Sequence, residues 1–122
     1  MFFSTNLRAA LSWFSVQGEA EALARMAGAL WRFWYTHGHL REGRDWLEKA
    51  LMLLANAPAT PDTPDHRRRF ILAKALNGAG ALAWAQGDST TAEDRYQKGL
   101  VLFRELADQE AIALVVNRLG TI

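Results

Sequence analysis

The chain repeats itself at a spacing of 40 residues, and this constrains its fold more than any other feature. Leu7, Ala10, Leu11 and Phe14 are matched by Leu47, Ala50, Leu51 and Leu54. The set returns as Tyr96, Gly99, Leu100 and Phe103, 49 residues further on. The surplus of nine equals the length of the proline-rich segment 57–65, Ala57-Pro-Ala-Thr-Pro-Asp-Thr-Pro-Asp65. With that segment read as a loop insertion, the period is 40 throughout. A repeat of this length, with helical spacing inside it, is the mark of a helical solenoid.

The period divides into six helices. Apolar residues at helical spacing predict helices over about 6–17, 20–36, 40–55, 64–86, 89–106 and 109–122. Gly18, Gly38 and Gly87 stop the first, second and fourth. Thr63 with Pro64, His39, Asp88 and Asp108 are placed to start the helices that follow them. The joints are too short for anything but tight antiparallel hairpins. The second member of each repeat aligns as well. Ala27, Leu30 and Trp31 map onto Leu76, Ala79 and Gly80, then onto Val116, Leu119 and Gly120. The expected fold is one all-α domain over 1–122. The order B-A-B-A-B-A implies that the chain starts and stops within a repeat, as a fragment of a longer array.

Composition excludes several classes of function. Half of the 122 residues are apolar and the formal charge is +1, which argues against disorder and against a generally basic nucleic-acid binder. Cysteine is absent, so disulfides, thiolate metal sites and a cysteine nucleophile are excluded. No uninterrupted apolar stretch approaches the roughly 18 residues of a membrane span, and Met1-Phe-Phe-Ser-Thr-Asn6 lacks the pattern of a signal peptide. A cytoplasmic location is compatible with all of this.

Leu76, Gly80, Gly87-Asp88, Ala92, Tyr96 and Gly99 resemble the tetratricopeptide repeat, with glycine in place of its usual alanine at 99. In the preceding repeat Trp31 takes the small position and Gly43 opposes it, which reads as an exchanged knob and hole. The segments Asn6-Leu-Arg-Ala-Ala-Leu-Ser-Trp13 and Ala29-Leu-Trp-Arg-Phe-Trp-Tyr-Thr-His-Gly-His-Leu-Arg-Glu-Gly-Arg-Asp-Trp-Leu-Glu-Lys-Ala-Leu51 resemble the start of the repeat region in bacterial LuxR- and AfsR-type signal-transduction ATPases. The resemblance implies a TPR-like right-handed superhelix and a regulatory module that binds protein. It does not extend to the ATPase, because no Gly-x-x-x-x-Gly-Lys-Ser/Thr loop occurs.

The same resemblance places a concave groove. Asn77 and Asn117 recur at one repeat position, which in peptide-binding repeats faces that groove. Lys74, Ala81 and Trp84 would share its face, with Arg25, Arg32 and Tyr35 from the helix before. An aromatic and basic groove suits an acidic or mixed peptide. The alternative reading is a free-standing adaptor that self-associates. Its final helix lacks the polar cap a solenoid end needs and would bury Ile112, Val115, Val116, Leu119 and Ile122 against a copy of itself.

Other constellations carry less. Gly78-Ala-Gly80-Ala-Leu-Ala83 fits a loose dinucleotide fingerprint, but it lies inside a helical pattern where close packing explains it. His37, His39 and Glu42 lack further ligands for a metal, and Asp62, Asp65 and His66 read as loop polarity. No catalytic serine, histidine and acid arrangement stands out, so neither an enzyme nor a cofactor is expected. Arg67-Arg68-Arg69 is read as a surface cluster neutralised by Asp62 and Asp65. Trp13 and Trp46 fall beside the inner face, placed to pack against elements outside this chain.

Overall fold

A computed structural model describes residues 2–58, 65–106 and 109–120. They form six helices: α1 Phe2–Val16, α2 Ala20–His37, α3 Leu40–Asn56, α4 Asp65–Ala85, α5 Ser89–Glu105 and α6 Gln109–Leu119. No strand occurs among the described residues, and none of these helices is long and apolar enough to cross a membrane. The expected Thr63–Pro64 start of α4 and the Asp108 cap of α6 lie outside the described residues.

Three joints share one device. Gly18, Gly38 and Gly87 each adopt a left-handed φ, of 72°, 76° and 80°. The residue after each donates its backbone N–H to a carbonyl five residues back: Glu19 to Phe14, His39 to Trp34 and Asp88 to Ala83, all at 2.9 Å. This closure satisfies helix-end carbonyls and reverses the chain within three residues. Of the helices that follow, only α5 has a side-chain cap, since Glu19 before α2 makes none. Asp88 accepts the Thr91 backbone N–H at 3.2 Å, as an N-cap should. His39 occupies the N-cap position but its side chain makes no capping bond.

Contacts between helices give their directions. Trp34 of α2 meets Gly43 of α3, and Tyr96 and Gly99 of α5 meet Gly80 and Leu76 of α4, so chain neighbours run antiparallel. Alternate helices run parallel. Gly28 and Trp31 of α2 meet Ala75 and Gly78 of α4, each pair 47 positions apart. In the other layer, Arg8 of α1 holds Glu42 of α3 through two bonds of 2.6 and 2.8 Å. Arg95 of α5 holds Glu48 of α3 through two bonds of 2.9 and 2.6 Å. The even helices thus form one layer and the odd helices another, with the apolar faces between them.

Glycine sets the spacing of the layers. A Cβ at Gly43 would lie 2.6 Å from Leu82 Cδ1 and 2.8 Å from two ring atoms of Trp34. At Gly78 it would lie 2.9 Å from Trp31 Cβ, and at Gly80 2.8 Å from the Tyr96 ring. The expected pairing of Trp31 with Gly43 is therefore corrected: Trp34 enters that hollow, and Trp31 enters one at Gly78. The fingerprint-like Gly78-Ala-Gly80 segment is a packing device inside α4.

The arginine cluster also differs from expectation. Arg67 pairs with Glu21 of α2 at 3.0 Å, and Arg69 with Asp65 at 2.9 Å and Glu105 of α5 at 3.5 Å. Arg68 turns inward and donates to the carbonyl oxygens of Leu54, in the last turn of α3, and of Ala57. It meets carbonyls at a helix end, where Leu54 O also accepts the Ala57 backbone N–H at 3.3 Å. Asp62 lies outside the described residues. Trp13 is 57% exposed, whereas Trp46 packs partly against the core under Lys49.

Gly80→Ala forces a methyl into the Tyr96 ring and should cost about 1–3 kcal/mol in thermal unfolding. Gly99→Ala meets only ordinary contacts, at 3.5 Å from Ala73 O and Leu76 Cβ. It should be neutral or stabilising by up to about 1 kcal/mol. Equal effects of the two changes would refute this account of the spacing. Thr91, then Arg44 at 2.9 Å, hold Asp88 below the usual carboxylate value near 4. A lowered folded value means stability present above about pH 4 and lost as pH falls through the folded value. Asp88→Ala should flatten this acid limb in a pH series of melting temperatures.

Candidate functional site

The even-helix layer is furrowed where α2, α4 and α6 lie side by side. The furrow opens into a pocket of about 420 Å³ lined by Trp31, Arg32, Tyr35, Thr36, Ala81, Trp84, Tyr96 and Arg118. The last turns of α2 supply four of these, the C-terminal part of α4 two, and α5 and α6 one each. Two tryptophans, two tyrosines and two arginines make its walls. No carboxylate lines it.

Its floor follows from the glycine hollows. Trp31 is fixed against Gly78 and Tyr96 against Gly80, so both rings are held by backbone rather than by mobile side chains. Arg118 of α6 lies over both, its guanidinium carbon 4.9 Å from the Trp31 ring centre and 6.0 Å from that of Tyr96. Its Nη1 donates to Asn77 Oδ1 at 3.0 Å. Asparagine inside a helix costs about 0.7 kcal/mol relative to alanine. A hydrogen bond from a charged donor, about 1.5–3 kcal/mol when well shielded, outweighs that. Asn77 therefore serves to hold Arg118 over the rings.

The rim is more exposed. Trp84 is 43% exposed and Tyr35 48%, with Tyr35 edge-on to Trp31 at 6.1 Å between ring centres. The Arg32 guanidinium carbon lies 5.4 Å from the Trp31 ring centre. A cation over an indole face contributes about 0.5–2 kcal/mol, the more when shielded from water. The pocket thus offers exposed flat rings between two positive charges. Such a place favours an anionic group carried on an apolar or aromatic frame.

Of the residues expected in the groove, Arg32, Tyr35, Ala81 and Trp84 meet at this pocket. Asn77 lies beside it, behind Arg118. Arg25 points elsewhere, pairing with Glu21 at 3.3 Å, and Lys74 sits over the Phe70 ring one turn earlier in α4. Asn117 is exposed and does not line the pocket, so its equivalence to Asn77 ends at sequence position. Trp31, Thr36, Tyr96 and Arg118 were not foreseen there. A mid-helix asparagine in need of a partner is the signal that points to Arg118.

The residues expected to self-associate divide. Val115 is 1% exposed and packs, with Ile112 and Leu119, against α5, so Val115 is withdrawn from any second chain. Val116 is exposed on another side, and Ile122 lies outside the described residues. Among the described residues no group of three or more His, Cys, Asp or Glu gathers to hold a metal. His37 stacks on Phe33, and its Nδ1 lies 2.9 Å from the Phe33 carbonyl.

Burial pushes the Tyr96 phenol above the usual tyrosine value, while Arg118 pulls against that shift. In a Tyr35→Phe background, the remaining phenolate absorbance should therefore appear above about pH 10. A raised folded value means that the linked stability is present below about pH 10 and declines as pH rises through the folded value. Arg118→Leu should move the titration still higher. A downward movement would show that Arg118 does not act on Tyr96.

Comparison with protein-family models, with curated proteins and with solved structures found no match.

Proposed function

We propose that this chain is a non-catalytic protein-interaction module, a TPR-like right-handed superhelix working in the cytoplasm, whose even-helix furrow binds an acidic peptide segment bearing aromatic or apolar side chains. The observation that carries this is the pocket at Trp31, Arg32, Tyr35, Trp84, Tyr96 and Arg118. It joins two cations to exposed aromatic faces and has no lining carboxylate. Its size accommodates one or two side chains, and its open rim lets the flanking backbone pass along α2 and α4. The alternating parallel layers support the superhelical reading, and the resemblance of 6–13 and 29–51 to signal-transduction ATPase regulators supports a regulatory setting. In that setting, a ligand that favours one arrangement of the helices shifts the switch by its difference in affinity.

The preformed floor bears on affinity. Because Trp31 and Tyr96 are already fixed, binding orders mainly Trp84, Tyr35 and Arg32, which limits the entropy lost on association.

A fluorescently labelled hexapeptide alternating glutamate and phenylalanine is the probe, with a lysine–phenylalanine hexapeptide as its control. Anisotropy titration should show the acidic peptide binding and the basic one not. Trp84→Ala should weaken binding at least about tenfold, the loss typical of a central aromatic anchor. Arg32→Glu should do the same and reduce the salt dependence. Equal binding of both peptides, or indifference to both substitutions, overturns the assignment.

A further inference from the structure

α4 shows how an even helix in this fold receives the odd helix that follows it. Ala73, Leu76 and Gly80 line one side of α4 and are buried under α5. Gly99 of α5 sits against Ala73 and Leu76 at 3.5 Å, and Tyr96 fills the hollow at Gly80. Forty residues on, α6 and its last turn carry Ala113, Val116 and Gly120 in the same places. There all three are exposed, Val116 to 46%. A Cβ at Gly120 would meet only the carbonyl oxygens of its own turn, Asn117 and Val116. The other side of α6 is engaged, with Val115 buried against α5. So α6 is packed on the side that faces the preceding odd helix and open on the side that corresponds to the α5 seat.

α1 has the complementary form. Leu7, Ala10, Leu11 and Phe14 match Tyr96, Gly99, Leu100 and Phe103 of α5. Leu11 enters the core and Phe14 packs on it. Leu7 and Ala10, the two that correspond to the residues seated on α4, are only half-buried and belong to neither core cluster. The seat tolerates these substitutions. A Cβ at Gly99 would find ordinary van der Waals distances, so alanine fits at that point, and leucine is smaller than the tyrosine at the other.

We propose that the Ala113–Val116–Gly120 side of α6 is a docking surface for α1 of a second copy of this chain, placed head to tail. Leu7 enters the hollow at Gly120, and Ala10 lies against Ala113 and Val116. The odd helix of one copy then follows the even helix of the other, as α5 follows α4. Two different surfaces meet, so each added copy presents a fresh one. Such an association passes beyond a dimer unless it closes into a ring.

Sedimentation velocity of the full chain over a concentration series tests this. Species larger than a dimer should grow with concentration. Leu7→Glu and Val116→Glu should each be monomeric with unchanged helical circular dichroism, since neither side chain belongs to the core. Mixed together, the two variants should form a one-to-one complex and stop there. The Val116→Glu chain keeps an intact α1 surface, and the Leu7→Glu chain keeps an intact α6 surface. A wild-type chain that stays monomeric overturns the proposal. So does a closed dimer that survives Leu7→Glu, or a mixture that forms no complex.

Discussion

The structure depends on two glycines two positions apart in α4. At about 100° per residue, Gly78 and Gly80 open on nearly opposite sides of that helix. One side takes Trp31 from α2 and the other takes Tyr96 from α5. A glycine in mid-helix costs about 0.5–1 kcal/mol against alanine. Seating a large aromatic ring against bare backbone returns more than that, since burial of such a side chain contributes about 1.5–3 kcal/mol. The middle of the molecule is thus held by two rings clasping one thin helix.

Those same rings are the floor of the groove, so core packing and the candidate site are not separable. Arg118 bridges them from above and Asn77 steadies Arg118 from α4. On the opposite layer, paired arginine–glutamate contacts tie α1 to α3 and α3 to α5. Solvent weakens exposed pairs of this kind, so they set register more than stability. The furrowed face is shaped by apolar fit, and the outer face is aligned by charge.

Much of the fold was legible in the sequence because a 40-residue period with glycine stops specifies helix number, joints and inner faces at once. Leu11, Leu23, Leu47, Leu54 and Leu100 occupy the core as their spacing implies. What the sequence concealed was the stagger between parallel helices. Equivalent residues of α2 and α4 stand 49 apart in the repeat, but those that touch stand 47 apart. That offset brings Trp31 onto Gly78, while the antiparallel register of α2 and α3 puts Trp34 on Gly43. The groove was half legible for the same reason. Arg32, Tyr35, Ala81 and Trp84 follow from one helix face each, whereas Tyr96 and Arg118 arrive from other helices. Placing those required knowing how deeply a ring sinks into a glycine hollow. Asn117 shows the limit of repeat logic: it shares a position with Asn77, yet its neighbour Arg118 makes the contact.

Arg68 gives the proline-rich segment a different meaning from that of a gap in the repeat. By grasping the carbonyls of Leu54 and Ala57 from the first turn of α4, it clasps the two ends of that segment together. The end of α3 and the start of α4 therefore register on one another through the clasp. Closure entropy rises only by about 0.6 kcal/mol for each doubling of loop length. Lengthening the stretch between Ala57 and Asp65 should therefore cost little in closure. The segment is thus a natural port, where a lineage or a designer could graft a new epitope, a cleavage site or a whole domain without renegotiating the fold.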